Sequence, residues 1–354
     1  MSIRQLIREE LRGMRPYSAA EQVTDTIRLN ANESAWKSDA DHFRRPLNRY
    51  PEIRPAGLRA LLAERFGCDE RELLVTRGSS EAIDLLIRVF CNGGVDNIVT
   101  TPPTFSMYEH YASIQNAAVR TVALDPDDDW ALDTDALLAA CDENTKLVFL
   151  CSPNNPTGTS IRSAQLNDIL DRIDGRYAVV VDEAYIEFSP EPSSTASRSR
   201  FDNLIVLRTL SKALAYAGAR CGCVIAQQEV IAILDAVQAP YALATPVVEA
   251  VENALRGDLA SRAADEVADT IEERNRVTQN LNQMGIVDKV FPSDANFLLV
   301  KFGNAAEVLD RTREAGVLVR AYGGGLESCI RISIGSQQEN DALLDALTSM
   351  EIEK

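Results

Sequence analysis

Residues 203–226, NLIVLRTLSKALAYAGARCGCVIA, run from one apolar strand pattern through a polar turn into a second. Leu204, Ile205, Val206 and Leu207 show no polar alternation, so both faces of this strand need apolar cover. Similar runs precede it: LLVT (73–76), NIVTT (97–101), KLVFLC (146–151) and YAVVVD (177–182). EAIDLLIRVF (81–90) and SAQLNDILDRI (163–173) place apolar residues at helical spacing between them. Strands alternating with helices predict an α/β domain with a large, mostly parallel sheet between helical layers, its active site at the strand C-termini. Beyond about residue 245 a long charged helix (258–283) is followed by NFLLVKF, VLVR and CIRISIG, which predicts a smaller α+β C-terminal domain. The expected division is an N-terminal arm (1–29), a large domain (30–245) and a small domain (246–354).

The arm carries Ile3, Leu6, Ile7, Leu11 and Met14 at helical spacing and reads as an amphipathic helix packing on its own chain or another, with the small domain a possible site. Glu9 and Glu10 argue against a transit peptide, and no apolar core of a secretory signal precedes them. No run nears the roughly 20 apolar residues of a membrane span. With 354 residues, 45% of them hydrophobic, the chain can bury a large core. Its net charge of −17 repels polyanions, which disfavours nucleic-acid binding, and an anionic substrate would need local arginines. Seven cysteines without a C-x-x-C pair read as buried thiols in a reducing, cytoplasmic compartment. Cys221-Gly222-Cys223 could be a redox or metal element, but with only His42 and His110 elsewhere no metal site is expected.

Several strands end in groups of complementary chemistry. Lys212 follows Thr209 and Ser211 and precedes Arg220; it is a solvated loop residue or a lysine whose pKa is lowered by burial and by Arg220 for attack on an aldehyde. Thr209, Ser211 and Arg220 also suit a phosphate. Asp182 ends YAVVVD and can cap a helix, or hold a proton on a pyridine nitrogen so that pyridoxal phosphate acts as an electron sink. Tyr185, or Asn155 in CSPNNPTG, can donate to that ring's phenolic oxygen, and Pro153, Pro156 and Gly158 stiffen the loop. Ser79 and Ser80 open a helical pattern, as caps or as an anion site. Tyr108 can stack on a flat ring or fill the core. The chain lacks G-x-G-x-x-G, and Gly323-Gly324-Gly325 reads as a flexible turn.

Taken in order, SPNNPTG, DEAY and TLSK followed by AGARCG resemble the signature of fold-type I, pyridoxal-phosphate-dependent aminotransferases. RLNANES, NRYPE, DEAYIEF and CIRISIG bring the chain nearest to the histidinol-phosphate aminotransferase family, over almost its full length. The resemblance implies Lys212 as Schiff-base lysine and proton shuttle, Asp182 on the pyridine nitrogen, Asn155 and Tyr185 on O3′, and Tyr108 against the ring. It implies a phosphate cup of Ser79, Ser80, Thr209, Ser211 and Arg220. It also implies a homodimer in which Tyr50 reaches the partner's site, with Arg331 and Arg320 receiving the substrate's carboxylate or phosphate. Tyr17 and Tyr241 are candidates for the imidazole pocket, or packing residues. The implied reaction moves an amino group between L-glutamate and imidazole-acetol phosphate in histidine biosynthesis. Two departures stand out: Ser80 replaces the family's usual Asp, and Ser34, Ala35 and Trp36 follow the N-x-N-E stretch without the usual proline. Alternative readings are an aromatic aminotransferase, a threonine-phosphate decarboxylase, or a non-catalytic regulator, which would need a DNA-binding domain before residue 28.

Overall fold

The computed structural model describes residues 2–18, 20–22 and 26–352, so parts of the expected arm lie outside the described residues. Its seven-stranded sheet comprises β1 (Leu73–Thr76), β2 (Asn97–Thr100), β3 (Ala118–Thr121), β4 (Thr145–Cys151), β5 (Ala178–Asp182), β6 (Leu204–Thr209) and β7 (Gly222–Ile225). The spatial order is β1-β7-β6-β5-β4-β2-β3, and only β7 runs antiparallel to its neighbours. The strand missing from the sequence reading is β3, an edge strand whose AVRT side chains are largely exposed and so carry no apolar signal.

Alternation explains the unbroken apolar runs. Leu147 and Phe149 of β4, Val180 of β5 and Ile205 of β6 enter one core cluster, whereas Val148, Val179 and Val206 enter the cluster on the opposite face. Helices α1 (Ala56–Phe66), α2 (Ser79–Phe90), α3 (Met107–Ile114), α4 (Thr134–Ala140), α5 (Ser163–Ile173), α6 (Gln228–Val237) and α7 (Thr245–Arg256) accompany the sheet. Ile83, Leu86 and Phe90 of α2 cover the first face, and Leu62, Leu166 and Ile169 of α1 and α5 cover the second. Each such side chain contributes about 1.5–3 kcal/mol by leaving water.

Ile3, Leu6 and Ile7 are buried, but on the large sheet's first helical layer, not on the small domain. They form no continuous helix. Two 3₁₀ turns, Ile3–Leu6 and Glu9–Leu11, flank an extended Ile7, and the Arg8 N–H donates to the carbonyl of Val89 at 3.1 Å. Spacing of i, i+3 and i+4 suits a short turn as well as a helix, and docking against the end of α2 decides between them.

The smaller sheet is antiparallel, with β8 (Val287–Val290), β9 (Phe297–Phe302), β10 (Arg320–Ala321) and β11 (Cys329–Ser333) in the order β10-β11-β9-β8. Helices α8 (Leu259–Leu281), α9 (Ala305–Glu314) and α10 (Gln337–Ile352) cover it. Two helices blur the expected boundary at 245/246. Val248 and Val251 of α7 belong to the large sheet's second core; Ala263 of α8 joins the same core, while Val277 and Leu281 belong to the small domain. Among the described residues no helix is long and apolar enough to cross a membrane.

Candidate active site

The C-terminal ends of β4, β5 and β6 open into a cavity of about 710 Å³ whose far wall is the small sheet. Ser79, Ser80, Asn155, Asp182, Tyr185, Thr209, Ser211, Lys212, Arg220, Arg320 and Arg331 all line it. Eleven residues named from the sequence thus share one cleft.

At one end, β1 leads through Gly78 into α2, whose free N–H groups face the cavity beside Ser79 and Ser80. Gly78 has φ +76°, and a side chain there would meet the Arg220 guanidinium at 2.7 Å. Gly222 has a related duty: a Cβ would lie 2.7 Å from the Arg208 carbonyl and 3.0 Å from the Ser79 nitrogen. The two glycines let β7, the turn before α2 and Arg220 close together. Arg220 donates to Ser211 Oγ at 3.3 Å, and Thr209 Oγ1 bonds the same hydroxyl at 2.9 Å. A helix N-terminus, two hydroxyls and a guanidinium converge without a carboxylate, which is the chemistry of a phosphate cup.

Asp182, at the end of β5, is buried, and burial raises its pKa to about 6 against the lowering effect of its hydrogen bonds. Tyr108 Oη donates to its Oδ2 at 2.9 Å and the Ala184 N–H to its Oδ1 at 3.2 Å. Such a carboxylate gains most from a cation placed against it. Tyr108 itself is fully buried, stacked on Phe149 with ring centroids 4.8 Å apart, and does not line the cleft. The expectation that it covers a flat ligand is therefore corrected: it sits within α3 and faces the sheet. Phe105, three residues earlier and still on the loop after β2, lines the cleft instead. The signal was present in TPPTFSMY, because a loop residue at a strand end is freer to face a ligand than one on a core-facing helix.

Lys212 Nζ lies 5.3 Å from the centroid of the Tyr185 ring. Its pKa is lowered chiefly by burial, then by Arg331; Asp182 opposes this and Arg220, the cation expected from sequence, acts least. Asn155 spans the cavity, accepting from Arg331 Nη1 at 2.6 Å through Oδ1 while its amide nitrogen lies 3.5 Å from Tyr185 Oη. Its loop is tied by Asn154, which donates to the Pro103 carbonyl and to Thr157 Oγ1, both at 2.9 Å. Burial also raises the Tyr185 phenol, keeping its proton in place as a donor.

Tyr17, Tyr50 and Tyr241 do not line this cavity. Tyr50 stacks on Tyr241 with centroids 4.6 Å apart, near Glu33 of the N-x-N-E stretch, which pairs with Arg28 and Arg49. Tyr322, absent from the sequence reading, lines the cleft between Arg320 and Arg331.

Residues 22–347 match the family model "Aminotransferase class I and II". The chain belongs to the class I and II aminotransferases. Similar members include histidinol-phosphate aminotransferases of Xanthomonas euvesicatoria, 44% identical over 98% of this chain and 97% of that protein, and of Xylella fastidiosa, 43% identical over 98% and 96%. Among solved structures, the histidinol-phosphate aminotransferase of Sinorhizobium meliloti in complex with pyridoxal 5′-phosphate is similar at a TM-score of 0.78 and 25% identity, covering 87% of this chain and 84% of that one. As an aminotransferase, this chain therefore has its cleft where an α/β enzyme of open-sheet design is expected to act.

Proposed function

We propose that the chain catalyses pyridoxal-phosphate-dependent transamination between L-histidinol phosphate and 2-oxoglutarate, giving imidazole-acetol phosphate and L-glutamate, or the reverse, the direction that serves histidine biosynthesis. The observation that carries this reading is one cavity with a phosphate cup and a desolvated lysine on its floor, facing two arginines that have no carboxylate partner among the described residues. The relatives at 43–44% identity, named for this substrate, support it.

The donor set fits the cofactor, which when bound supplies an aldehyde for the amine and an electron sink for the carbanion. Ser79, Ser80, Thr209, Ser211 and Arg220 would hold its phosphate, and Asp182 would keep a proton on the ring nitrogen. Asn155 and Tyr185 would donate to the phenolic oxygen, and Phe105 would cover the ring. Lys212, already biased toward its neutral amine, would take the proton from the substrate Cα and deliver it to C4′. Arg331, with Arg320 beside it, would accept either anion in turn, since a guanidinium fork suits carboxylate and phosphate alike.

We also propose a cytoplasmic homodimer in which Tyr50, with Tyr17 and Tyr241 near it, serves the partner's cavity; their absence from the lining of their own cavity and the exposure of Tyr17 and Tyr50 support this. We place the transition from large to small domain inside α8. Mixing the holoenzyme with histidinol phosphate should shift the cofactor's visible absorption band, and 2-oxoglutarate alone should not. A band that responds to phenylalanine but not to histidinol phosphate, or carbon dioxide released from threonine phosphate, would overturn the substrate assignment.

A further inference from the structure

Arg320 and Arg331 are directly paired across the β10–β11 ladder. Like charges in that position repel, and among the described residues neither side chain has a carboxylate within ion-pair distance. The Nε of Arg331 is buried without a hydrogen-bond partner. What lies between them is a ring: the guanidinium carbons of both residues stand 5.8 Å from the centroid of Tyr322. Arg331 is further held by the Phe297 ring at 5.3 Å and by Asn155. Cation–π contact gives both charges a common aromatic partner.

The phenol adds a second property. Burial raises its pKa, and the charges of both arginines oppose that rise. Tyr322 lines the cleft, and because a guanidinium has only donors and cannot accept its proton, the phenol's one O–H is left to donate into the cleft. A carboxylate offers two oxygens, which one fork satisfies. A phosphate monoester offers three terminal oxygens and more acceptor positions, so it gains more than a carboxylate from a further donor beside the two guanidiniums.

We propose that Tyr322 makes this anion site discriminate, its hydroxyl serving as the additional donor that favours a phosphate over a carboxylate while its ring holds the two arginines in place. This rests on the reading of Arg320 and Arg331 as the substrate's anion site. Three glycines follow Tyr322, and side chains at Gly323 and Gly324 would meet nothing within 4 Å, so the segment leaves room for the larger anion.

The test is calorimetric titration of the holoenzyme, whose own phosphate cup is filled, with inorganic phosphate and with maleate. Tyr322→Phe keeps the ring and removes the donor. The ratio of phosphate Kd to maleate Kd should rise about tenfold, the size expected for one hydrogen bond to a charged group. KM for histidinol phosphate should rise by a similar factor relative to KM for glutamate, with kcat affected less. Equal weakening of both anions, or no change in the ratio, overturns the proposal. If wild-type enzyme ignores histidinol phosphate yet the calorimetric ratio moves, the substrate assignment fails and the role of Tyr322 stands. Retention of the cofactor's absorption band in the variant separates these outcomes from misfolding.

Discussion

The strand-end floor and the tyrosine surface around Glu33 are built in opposite ways. On the floor, Asp182 and Thr209 are buried and held within their own chain, Asp182 by Tyr108 and Ala184, Thr209 by Ser211 and Cys221. Around Glu33 there is also an ordered polar framework, with Arg28, Arg49 and the Tyr50 N–H all on its carboxylate. Yet the large apolar groups of the same segment stand in water: Ile27 and Leu29 are each 91% exposed and Trp36 72%. One region is finished by a single chain. The other is organised but uncovered, and its exposed apolar groups support the proposed second copy.

The largest expected effect breaks the floor itself. Lys212→Ala should lower kcat by at least about 10⁴-fold, because nucleophilic attachment and proton transfer are lost together. The same variant tests the other region. If Tyr50 serves the partner's cavity, co-purified Lys212→Ala and Tyr50→Ala chains should recover about a quarter of wild-type activity, since half of the random dimers carry one intact site. Activity no higher than the sum of the separate variants would place Tyr50 outside the catalytic unit.

Next in size is Asp182→Asn, expected to cost about 10²-fold in kcat by removing the charge from the ring nitrogen's partner. Its stability should move the other way. Burial raises the folded-state pKa of Asp182 to about 6, above the ordinary 3.8, so its contribution is present in full below about pH 4 and is lost as pH rises through 6. In the cofactor-free protein that loss approaches roughly 3 kcal/mol by pH 8. Urea midpoints of cofactor-free wild type should fall between about pH 4 and 7, and those of Asp182→Asn should fall less. Identical slopes would show that the carboxylate is not strained by its site.

The same contrast explains what the sequence made legible. Asp182 ends an apolar strand, Asn155 and Lys212 follow one within a short turn and Arg220 just precedes the antiparallel β7, so all four fall at the edge where the parallel strands end and local position nearly determines spatial position. β3 was lost because an exposed edge strand has no apolar run. Tyr322 was lost because its partners, Arg320 and Arg331, meet it through a ladder register that no local pattern encodes. Tyr50 and Tyr241 stack across 191 residues of sequence, and within one chain they stand outside the lining of the cavity.

Tyr108 and Phe105 give the smallest and sharpest test, because the sequence assigned to one the place that the other holds. Tyr108 acts on Asp182 through a single hydrogen bond of 2.9 Å that lowers the carboxyl pKa. Tyr108→Phe keeps the stack on Phe149 and removes only that bond, so the Asp182 pKa should climb above about 6. Activity should fall about tenfold at neutral pH, and the acid limb of the kcat profile should move to higher pH. Phe105→Ala touches no titrating group. It should weaken cofactor retention, read by dialysis and absorbance, and leave that limb where it is. If Tyr108→Phe instead loses cofactor with an unmoved pH profile, the phenol lies against the ligand after all, and α3 must turn it toward the cleft when the cofactor is bound.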